Sequence, residues 1–314
     1  DNDNGSSSCR VNFVMEHGNY GYRDEQTGDA YLTRRTNMEE TMQRRMWHQN
    51  DPGVVPNVLI TGSGAPTGIL VYEGNLLPEQ FHGQMIHAEP GRNIVWAFPA
   101  KQAGAGYTAR IVDLVRSDID RDYRPSDVSV APDGSLFIAD WFDPVDCCHR
   151  TINDAGRIFR VAPPGHRYKI TAYDYQTPAG AVQALRSPNL SARYRAWTAL
   201  VEMQSRARAE LESMAADPNP RFRARALWVL AAIGDGAARA IKMALRDEAE
   251  DVRLLALRIA RRHRLPVEPV VRRLVRDDSA LVRRECAVSL YQLDSPQSVQ
   301  LWVKLALQHD GNDR

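Results

Sequence analysis

The sequence predicts a partial β-propeller of about three blades followed by an α-solenoid of helical repeats. In residues 1–165, short alternating or apolar runs are separated by Gly, Pro and Asp turns, a texture typical of strands. From Ser187 onward a pattern recurs with a 30-residue period, which is typical of stacked helical hairpins. We therefore expect a sheet unit at 1–165, a linker at 166–177 and a helical unit at 178–314.

Length and composition place the chain among ordinary globular proteins. Its 314 residues are 43% hydrophobic and 25% charged, which allows about two domains. With 40 basic and 39 acidic side chains, the charge balance gives no case for binding nucleic acid or an anionic membrane. Residues 1–186 hold 18 basic and 23 acidic side chains (−5), whereas residues 187–314 hold 22 and 16 (+6). No apolar run reaches the ~18 residues that a membrane-spanning helix needs.

The chain starts at Asp1, without a methionine, within sequence that has the texture of folded protein. We therefore expect it to be a piece of a longer protein. The remaining propeller blades should then lie upstream of Asp1, because a propeller needs several blades to close into a ring.

Four runs in the first unit predict one antiparallel sheet, because they follow one another with short connections, as the strands of a propeller blade do. They are residues 66–74, 84–91, 93–100 and 108–117. A second blade is predicted from residues 126–142, which read as two strands joined by the turn Pro132–Gly134. Residues 156–164 would supply its third strand.

The helical unit is predicted from residue types that recur in each repeat. The repeats start at Ser187, Asp217, Asp247 and Asp277. An arginine follows six residues later, at Arg193, Arg223, Arg253 and Arg283, and a small residue nine later, at Ala196, Ala226, Ala256 and Cys286. We expect the aspartates to cap helix N-termini and the arginines to contact the next repeat's turn, forming a ladder. This structural role is favoured over an anion-binding or nucleic-acid-binding ridge, and Cys286 is expected to be an inert core thiol.

Several segments resemble known families. The acidic turn, the following Val-Arg and the inward alanine resemble HEAT repeats. The segments HGNYGYR (17–23), NDPGVVPN (50–57), residues 65–89 and RPSDVSVAPDG (124–134) resemble propellers related to soluble quinoprotein glucose and sorbosone dehydrogenases. Together with the helical array, the chain resembles the membrane-bound dehydrogenase family of planctomycetes and verrucomicrobia.

This resemblance implies a quinone-dependent enzyme that uses pyrroloquinoline quinone (PQQ) to oxidise a sugar or alcohol and passes electrons to a cytochrome c. It also implies a periplasmic, secreted or cell-envelope location, with the HEAT array as a scaffold that docks the propeller or the electron acceptor. The alternative is a non-catalytic propeller and HEAT module that binds carbohydrate or protein. A third expectation is an intracellular HEAT adaptor.

Oxidation of a hydroxyl group by hydride transfer needs a base that takes the hydroxyl proton. The histidines of the first unit are the candidate bases: His17, His48, His82, His87 and His149. We favour His87, at the end of a predicted strand, His48, in an irregular loop, and His149, in the loop that follows a strand.

Cationic and polar side chains at strand ends are the candidate cofactor ligands, because quinone cofactors carry carboxylates. These residues are Arg92, Arg124, Asp127, Asp140, Trp141 and Asp143. Asp127 is the expected salt-bridge partner of Arg124.

The loop at 139–150 contains Cys147, Cys148 and His149. Adjacent cysteines lack the two-residue spacer of covalent haem attachment, and no second cysteine pair supports a zinc site. Two interpretations of this cysteine pair remain open. One is a surface loop with two free thiols, and the other is a vicinal disulfide that stiffens the turn. At the start of the chain, Asp1 and Asp3 with Asn and Gly residues resemble the beginning of a calcium loop, although a plain Asx turn explains them equally well.

Overall fold

The fold is described from a computed structural model that covers residues 8–24, 27–30, 40–41, 45–49, 51, 53–62, 64–120, 122–141, 156–291 and 293–309. These residues form two compact units. The first runs to Ala103 and from Tyr107 to Ile170, and the second comprises Gly104–Gly106 and the residues from Thr171 onward.

The first unit is rich in β-structure. Its strands are β1 (Cys9–Val11), β2 (Leu59–Gly62), β3 (Ile69–Val71), β4 (Met85–Glu89), β5 (Ile94–Phe98), β6 (Ala100–Ala103), β7 (Gly106–Ala109), β8 (Val112–Arg116), β9 (Pro125–Val130), β10 (Leu136–Asp140) and β11 (Arg157–Val161). They form a four-stranded sheet β3-β4-β5-β8, a three-stranded sheet β11-β10-β9, and the pairs β1-β2 and β6-β7. The described residues form no closed ring of sheets.

The four-stranded sheet is antiparallel throughout, with Ile69 opposite His87 and His87 opposite Trp96. Three of its strands lie inside the predicted runs. The fourth run, 108–117, was wrong as a single strand, because Gly106–Ala109 pairs with Ala100–Ala103 and only Val112–Arg116 joins the sheet. The chain turns back at Gly104, whose φ of +56° suits glycine, so the β6-β7 hairpin forms before the chain returns to β5.

The second sheet follows the predicted order. Leu136 and Ile138 of β10 lie opposite Val130 and Val128 of β9, and β10 also pairs with β11. The predicted turn at 132–134 is confirmed. The Ala131 N–H donates to the Ser135 carbonyl at 2.8 Å, and Gly134 adopts a φ of +87°, which glycine accepts without strain.

The two sheets share one apolar core. Tyr72, Ile86, Leu136 and Ile138 are fully buried in it. The alternation of β10 places Leu136 and Ile138 on the same face of their sheet. Burying each side chain of this size stabilises the fold by about 1.5–3 kcal/mol. The Tyr72 hydroxyl donates to the Gly134 carbonyl at 2.7 Å, which connects the residue directly after β3 to the turn between β9 and β10.

The second unit is helical over its described residues from Pro178 onward. Its helices are α1 (Pro178–Leu185), α2 (Leu190–Met203), α3 (Arg208–Met214), α4 (Pro220–Ala232), α5 (Gly236–Ala244), α6 (Glu250–Arg262), α7 (Glu268–Leu274), α8 (Ala280–Leu290) and α9 (Pro296–Ala306). The small residues that recur in the sequence are fully buried: Ala196, Ala226, Ala256 and Cys286. They lie on α2, α4, α6 and α8, where a small side chain lets neighbouring helices approach closely.

The predicted ladder is confirmed in the middle of the array. The Arg223 guanidinium donates to the Asp247 carboxylate at 2.7 and 2.8 Å, and Arg253 donates to Asp277 at the same two distances. At the first rung, Asp217 accepts instead from Arg186, at the end of α1.

Each ladder arginine also binds the turn of its own repeat. The Nη1 of Arg193, Arg223, Arg253 and Arg283 donates to the carbonyls five and six residues earlier, at 2.8 to 3.1 Å.

Burial raises the pKa of the Cys286 thiol, as expected for an inert core cysteine.

Candidate functional site

Three ionisable side chains meet inside the first unit: Asp24, His48 and Asp51, here called the acid–histidine cluster. His48 Nδ1 lies 3.1 Å from Asp51 Oδ2 and 3.9 Å from Asp24 Oδ2. One potential ligand atom from each residue lies within 4.8 Å of the other two. The exposed fraction of these residues is 0% for His48, 8% for Asp24 and 7% for Asp51, so the cluster is shielded from water.

The cluster forms because two backbone segments run side by side. Asn19 and Val54 form a parallel bridge, and the Val55 N–H donates to the Asn19 carbonyl at 2.7 Å. Gly21 lies against the Trp47 carbonyl so closely that a Cβ at this position would be 1.5 Å from the oxygen. With a φ of +71°, Gly21 therefore meets both a conformational and a steric demand for glycine.

Local hydrogen bonds orient the members of the cluster. Asp24 Oδ1 accepts from the Thr27 N–H at 2.6 Å, which leaves Oδ2 on the side of His48. The Asp51 N–H donates to the His48 carbonyl at 3.0 Å and closes a tight turn between these two residues. His48 Nε2 is buried and has no hydrogen-bond partner in the described part of the chain.

Arg10 is a cation close to this loop. Its guanidinium lies 4.3 Å from the centre of the Trp47 ring and donates to the Tyr20 carbonyl at 2.6 Å. Burial lowers the pKa of Arg10 to about 10, so it stays charged at neutral pH.

Sequence reasoning identified His48 but missed Asp24 and Asp51. Asp51 stands inside the segment NDPGVVPN, and Asp24 directly follows HGNYGYR. Both segments were singled out as family-like, and the acidic residue in or beside each was the signal that could have identified the cluster.

His87, the second candidate base, lies on β4 among aromatic rings. Its ring is stacked on Trp96 at 6.3 Å and lies 5.5 Å from Phe98, measured between ring centroids. It is 3% exposed, and its Nδ1 has no hydrogen-bond partner in the described chain. Burial lowers its pKa to about 4, so His87 is neutral at pH 7 and is a weak base.

Most of the predicted cofactor ligands lie at one edge of the two sheets, here called the loop edge. It consists of Arg92, Asn93, Tyr123, Arg124, Asp140 and Trp141. The Arg124 N–H donates to Asp140 Oδ1 at 2.7 Å, and the Trp141 N–H donates to the Arg124 carbonyl at 3.0 Å. Asn93 Nδ2 donates to the Tyr123 carbonyl, which brings the turn that contains Arg92 to the same edge.

The charge of Asp140 is already paired. Its Oδ2 accepts from Arg157 Nε at 2.7 Å, and Arg157 also binds Asp120 at 2.7 Å. Asp140 is 3% exposed, so this ion pair is largely removed from water. Trp141, by contrast, is 49% exposed at the end of β10.

Glu89 lies next to the loop edge, at the end of β4. Its Oε1 accepts from the N–H groups of Ala65 and Gly91 at 2.5 and 3.0 Å, and its Oε2 has no hydrogen-bond partner among the described residues. Burial raises the pKa of Glu89, even though these hydrogen bonds and Arg92 act in the opposite direction.

The remaining predicted site residues are placed elsewhere. Asp127 is exposed on β9, and its Oδ1 accepts from the Val128 N–H at 2.8 Å. His17 lies in a loop with a φ of +61°, and His82 Nε2 lies 2.7 Å from the Leu77 carbonyl. Outside the described residues lie His149, Asp143, Asp1, Asp3, Cys147 and Cys148.

Comparisons with known proteins give a family for each part of the chain. Residues 4–165 match the family described as "Domain of unknown function (DUF7133)", and residues 178–258 match HEAT repeats. No curated protein matches the chain. In the described residues, no helix has both the length and the apolar character needed to cross a bilayer. Residues 178–258 of the helical unit are therefore HEAT repeats. The DUF7133 match covers more than half of the chain, so the chain belongs to that family.

Proposed function

We propose that the first unit is part of a β-propeller oxidoreductase that uses a PQQ-type quinone to oxidise a sugar or an alcohol. The observation that carries this proposal is the loop edge, where Arg124, Asp140 and Trp141 are joined by direct hydrogen bonds. In an all-β toroid, small molecules bind where the loops of successive blades gather.

The arrangement of the sheets supports a propeller. The strands β3, β4 and β5, and likewise β9, β10 and β11, follow one another in the chain and pair antiparallel, as the strands of a propeller blade do. The fourth strand of the first sheet, β8, joins it after the β6-β7 hairpin. The Gly68 N–H donates to the Ser126 carbonyl at 3.4 Å, so the chain just before β3 lies beside β9, the first strand of the next sheet. In a propeller, the first strands of neighbouring blades lie next to each other around the central axis.

The donor chemistry of the loop edge suits a quinone that carries carboxylates. Arg92 and Arg124 are cationic, and neither is fully buried. The exposed Trp141 ring offers a flat surface for an aromatic cofactor. Asp140, by contrast, is paired with Arg157 and orients the Arg124 backbone, so we assign it a positioning role.

Such a cofactor supplies the two-electron oxidation when it is bound. The residues of this chain would then hold its carboxylates through Arg92 and Arg124 and cover one face with Trp141. Transfer of the hydroxyl proton needs a base, for which His87, His48 and His149 stay candidates by prediction. Of the two that are described, His48 has the carboxylate neighbour that orients a catalytic histidine, whereas His87 is enclosed by aromatic rings.

The test is binding and reduction of PQQ by the full chain. We expect Arg124→Ala and Arg92→Ala each to weaken cofactor binding about tenfold or more, because each removes a charged partner of a carboxylate. The matched control is Arg110→Ala, since Arg110 is exposed and its N–H bonds Pro99, just beyond the opposite end of β5. Binding is measured by the cofactor's absorption, and catalysis by its bleaching with an aldose or a primary alcohol.

The outcomes separate two parts of the proposal. Equal affinity in all three arginine variants excludes the loop edge as the cofactor site. Failure of the unmodified chain to bind PQQ at all excludes the quinone.

A second function is favoured by the burial of the candidate bases. His48 and His87 are 0% and 3% exposed, so neither reaches solvent in the described unit. A module that binds carbohydrate or protein without catalysis needs no accessible base. Under this alternative, the chain binds an oligosaccharide or a protein but does not bleach PQQ in its presence.

The HEAT array has a separate proposed role as a docking scaffold for a cytochrome c acceptor in the periplasm or cell envelope. Arrays of this kind present extended surfaces to protein partners. The excess of basic side chains in residues 187–314, 22 against 16 acidic ones, favours a partner with an acidic face. Reduction of a soluble cytochrome c by the quinone-loaded chain, lost at high ionic strength, is the expected result.

A further inference from the structure

We propose that the acid–histidine cluster is a binding site for a divalent cation of the Zn²⁺ or Mn²⁺ type, with Asp24, His48 and Asp51 as its protein ligands. This inference goes beyond the proposed oxidoreductase activity and leaves His87 and His149 as the candidate bases for it. It assigns His48 to a metal and thereby removes it from the candidate bases.

The geometry of the three side chains suits one ion. Bonds of about 2.0–2.2 Å from Zn²⁺ to imidazole nitrogen and carboxylate oxygen place neighbouring donor atoms of a tetrahedral site roughly 3.3 Å apart. His48 Nδ1 lies 3.1 Å from Asp51 Oδ2 and 3.9 Å from Asp24 Oδ2. An ion between them therefore needs only small side-chain movements.

The charge and burial of the three side chains suit a bound divalent cation. The two carboxylates and the imidazole lie within 4.8 Å of one another, and each residue is less than a tenth exposed. A divalent cation bound by all three would be attracted strongly by both carboxylates in a site of low dielectric. A metal ion on Nδ1 leaves the imidazole ring neutral.

The ligand types define the class of ion. Imidazole nitrogen with carboxylate oxygen suits Zn²⁺, Mn²⁺ and Fe²⁺, whereas Ca²⁺ prefers six to eight oxygen ligands. Three protein ligands leave at least one coordination position for water or another group, which is the pattern of open metal sites. The hydrogen bond from Thr27 to Asp24 Oδ1 gives this carboxylate the second contact that orients metal ligands.

The experiment is a titration of the chelator-treated full chain with Zn²⁺, Mn²⁺ and Ca²⁺, followed by isothermal calorimetry and thermal melting. We expect one Zn²⁺ or Mn²⁺ per chain, a higher melting temperature with the ion, and at least tenfold weaker binding of Ca²⁺. Co²⁺ should give the visible absorption of a site with nitrogen and oxygen ligands.

Variants then locate the ion. Asp51→Asn, Asp24→Asn and His48→Gln keep the approximate size of each side chain. Each should weaken metal binding by about 100-fold or more, because loss of a group that only orients a metal ligand already costs 10–100-fold in affinity. The matched control is His82→Gln, in a half-buried histidine of the same unit that lies beside the Leu77 carbonyl.

Three results would overturn the inference: no ion bound by the unmodified chain, equal affinity in the cluster variants and the control, or tighter binding of Ca²⁺ than of Zn²⁺ and Mn²⁺. Should the variants not fold, the unmodified chain still decides, because a cluster without an ion gives the same melting temperature before and after chelation.

Discussion

Arg223 binds the carboxylate of Asp247 with two parallel hydrogen bonds, from Nε at 2.8 Å and from Nη2 at 2.7 Å. The exposed fractions of their side chains are 8% and 10%, so this ion pair is shielded from water on both sides. It joins the helix α4 of one repeat to the turn before α6 of the next. The planar guanidinium suits this geometry, because its donors match the two oxygens of a carboxylate.

Replacing Arg223 should destabilise the helical unit strongly. Arg223→Ala leaves the Asp247 carboxylate without this partner in a largely buried position and removes the donor to the carbonyls of Asp217 and Pro218. We expect the free energy of unfolding to fall by about 3 kcal/mol. The control Arg208→Ala breaks a pair with Asp235, whose side chain is 90% exposed, and should change it by less than about 1 kcal/mol. Urea unfolding followed by circular dichroism measures the stability of both variants. Equal losses of unfolding free energy in the two variants would contradict the stabilising role of the Arg223–Asp247 pair.

Acid should weaken the same ladder at Asp277. Burial alone would raise the pKa of this carboxyl, but the hydrogen bonds from Arg253 and from the Ser279 N–H outweigh it and hold the pKa below its usual value of about 3.9. A carboxyl with a lowered pKa in the folded state contributes stability that is fully present above the unfolded-state pKa. That contribution should therefore disappear as the pH falls from about 4 through the lower folded-state pKa.

The measurement for Asp277 is urea unfolding of the unmodified chain and of Asp277→Asn between pH 7 and pH 3. We expect the difference in stability between the two proteins to shrink below about pH 4. A constant difference across this range would show that the Asp277 charge does not contribute.

The hydroxyl of Tyr72 should matter for the first unit. It donates to the Gly134 carbonyl and accepts from the N–H groups of Leu76 and Leu77 at 3.0 and 3.1 Å. Tyr72→Phe keeps the ring but leaves buried groups unpaired, so we expect a loss of about 1–3 kcal/mol in unfolding free energy. Tyr168→Phe, at a residue that is 42% exposed, is the control and should stay near zero.

Gly21 should be far less tolerant of alanine than Gly28. Both have a positive φ, +71° and +75°, so alanine strains the backbone equally at the two positions. Only at Gly21 does the added Cβ meet an atom, the Trp47 carbonyl oxygen, whereas nothing lies within 4 Å at Gly28. We expect Gly28→Ala to cost about 1–2 kcal/mol and Gly21→Ala clearly more, with loss of the acid–histidine cluster. Thermal melts of the two variants, with and without Zn²⁺, provide the comparison.

The strands and repeats could be predicted because each depends on a local pattern. On β10 the alternation of Leu136 and Ile138 with half-buried neighbours marks the face that is buried. The apolar residues of β4 predict a strand too, but this strand is buried on both faces. The recurrence of aspartate and arginine every 30 residues likewise predicted the contacts between an arginine and the aspartate of the next repeat. The split of 108–117 escaped prediction, because its alternation continues across the point where the β6-β7 hairpin ends.

The acid–histidine cluster could not be predicted from such patterns. Asp24 and His48 are far apart in the sequence, and they are brought together by the bridge between Asn19 and Val54 and by the close approach of Gly21 to the Trp47 backbone. The loop edge was foreseen in part, since strand ends meet at the edge of a sheet. The pairing of Asp140 with Arg157 was not predicted, because the two residues are 17 positions apart and no sequence pattern links them.

Two of the ladder arginines, Arg223 and Arg253, bind two turns each, which gives this part of the array a direction. Arg223 and Arg253 hold their own turn through its carbonyls and the following turn through its carboxylate. Each of these two repeats is therefore bound to the next repeat by an arginine of its own. Replacement of one of these arginines should weaken the contact between its own repeat and the next one first. Unfolding under mechanical force or cleavage by a protease should therefore begin at that contact and proceed toward the C-terminus.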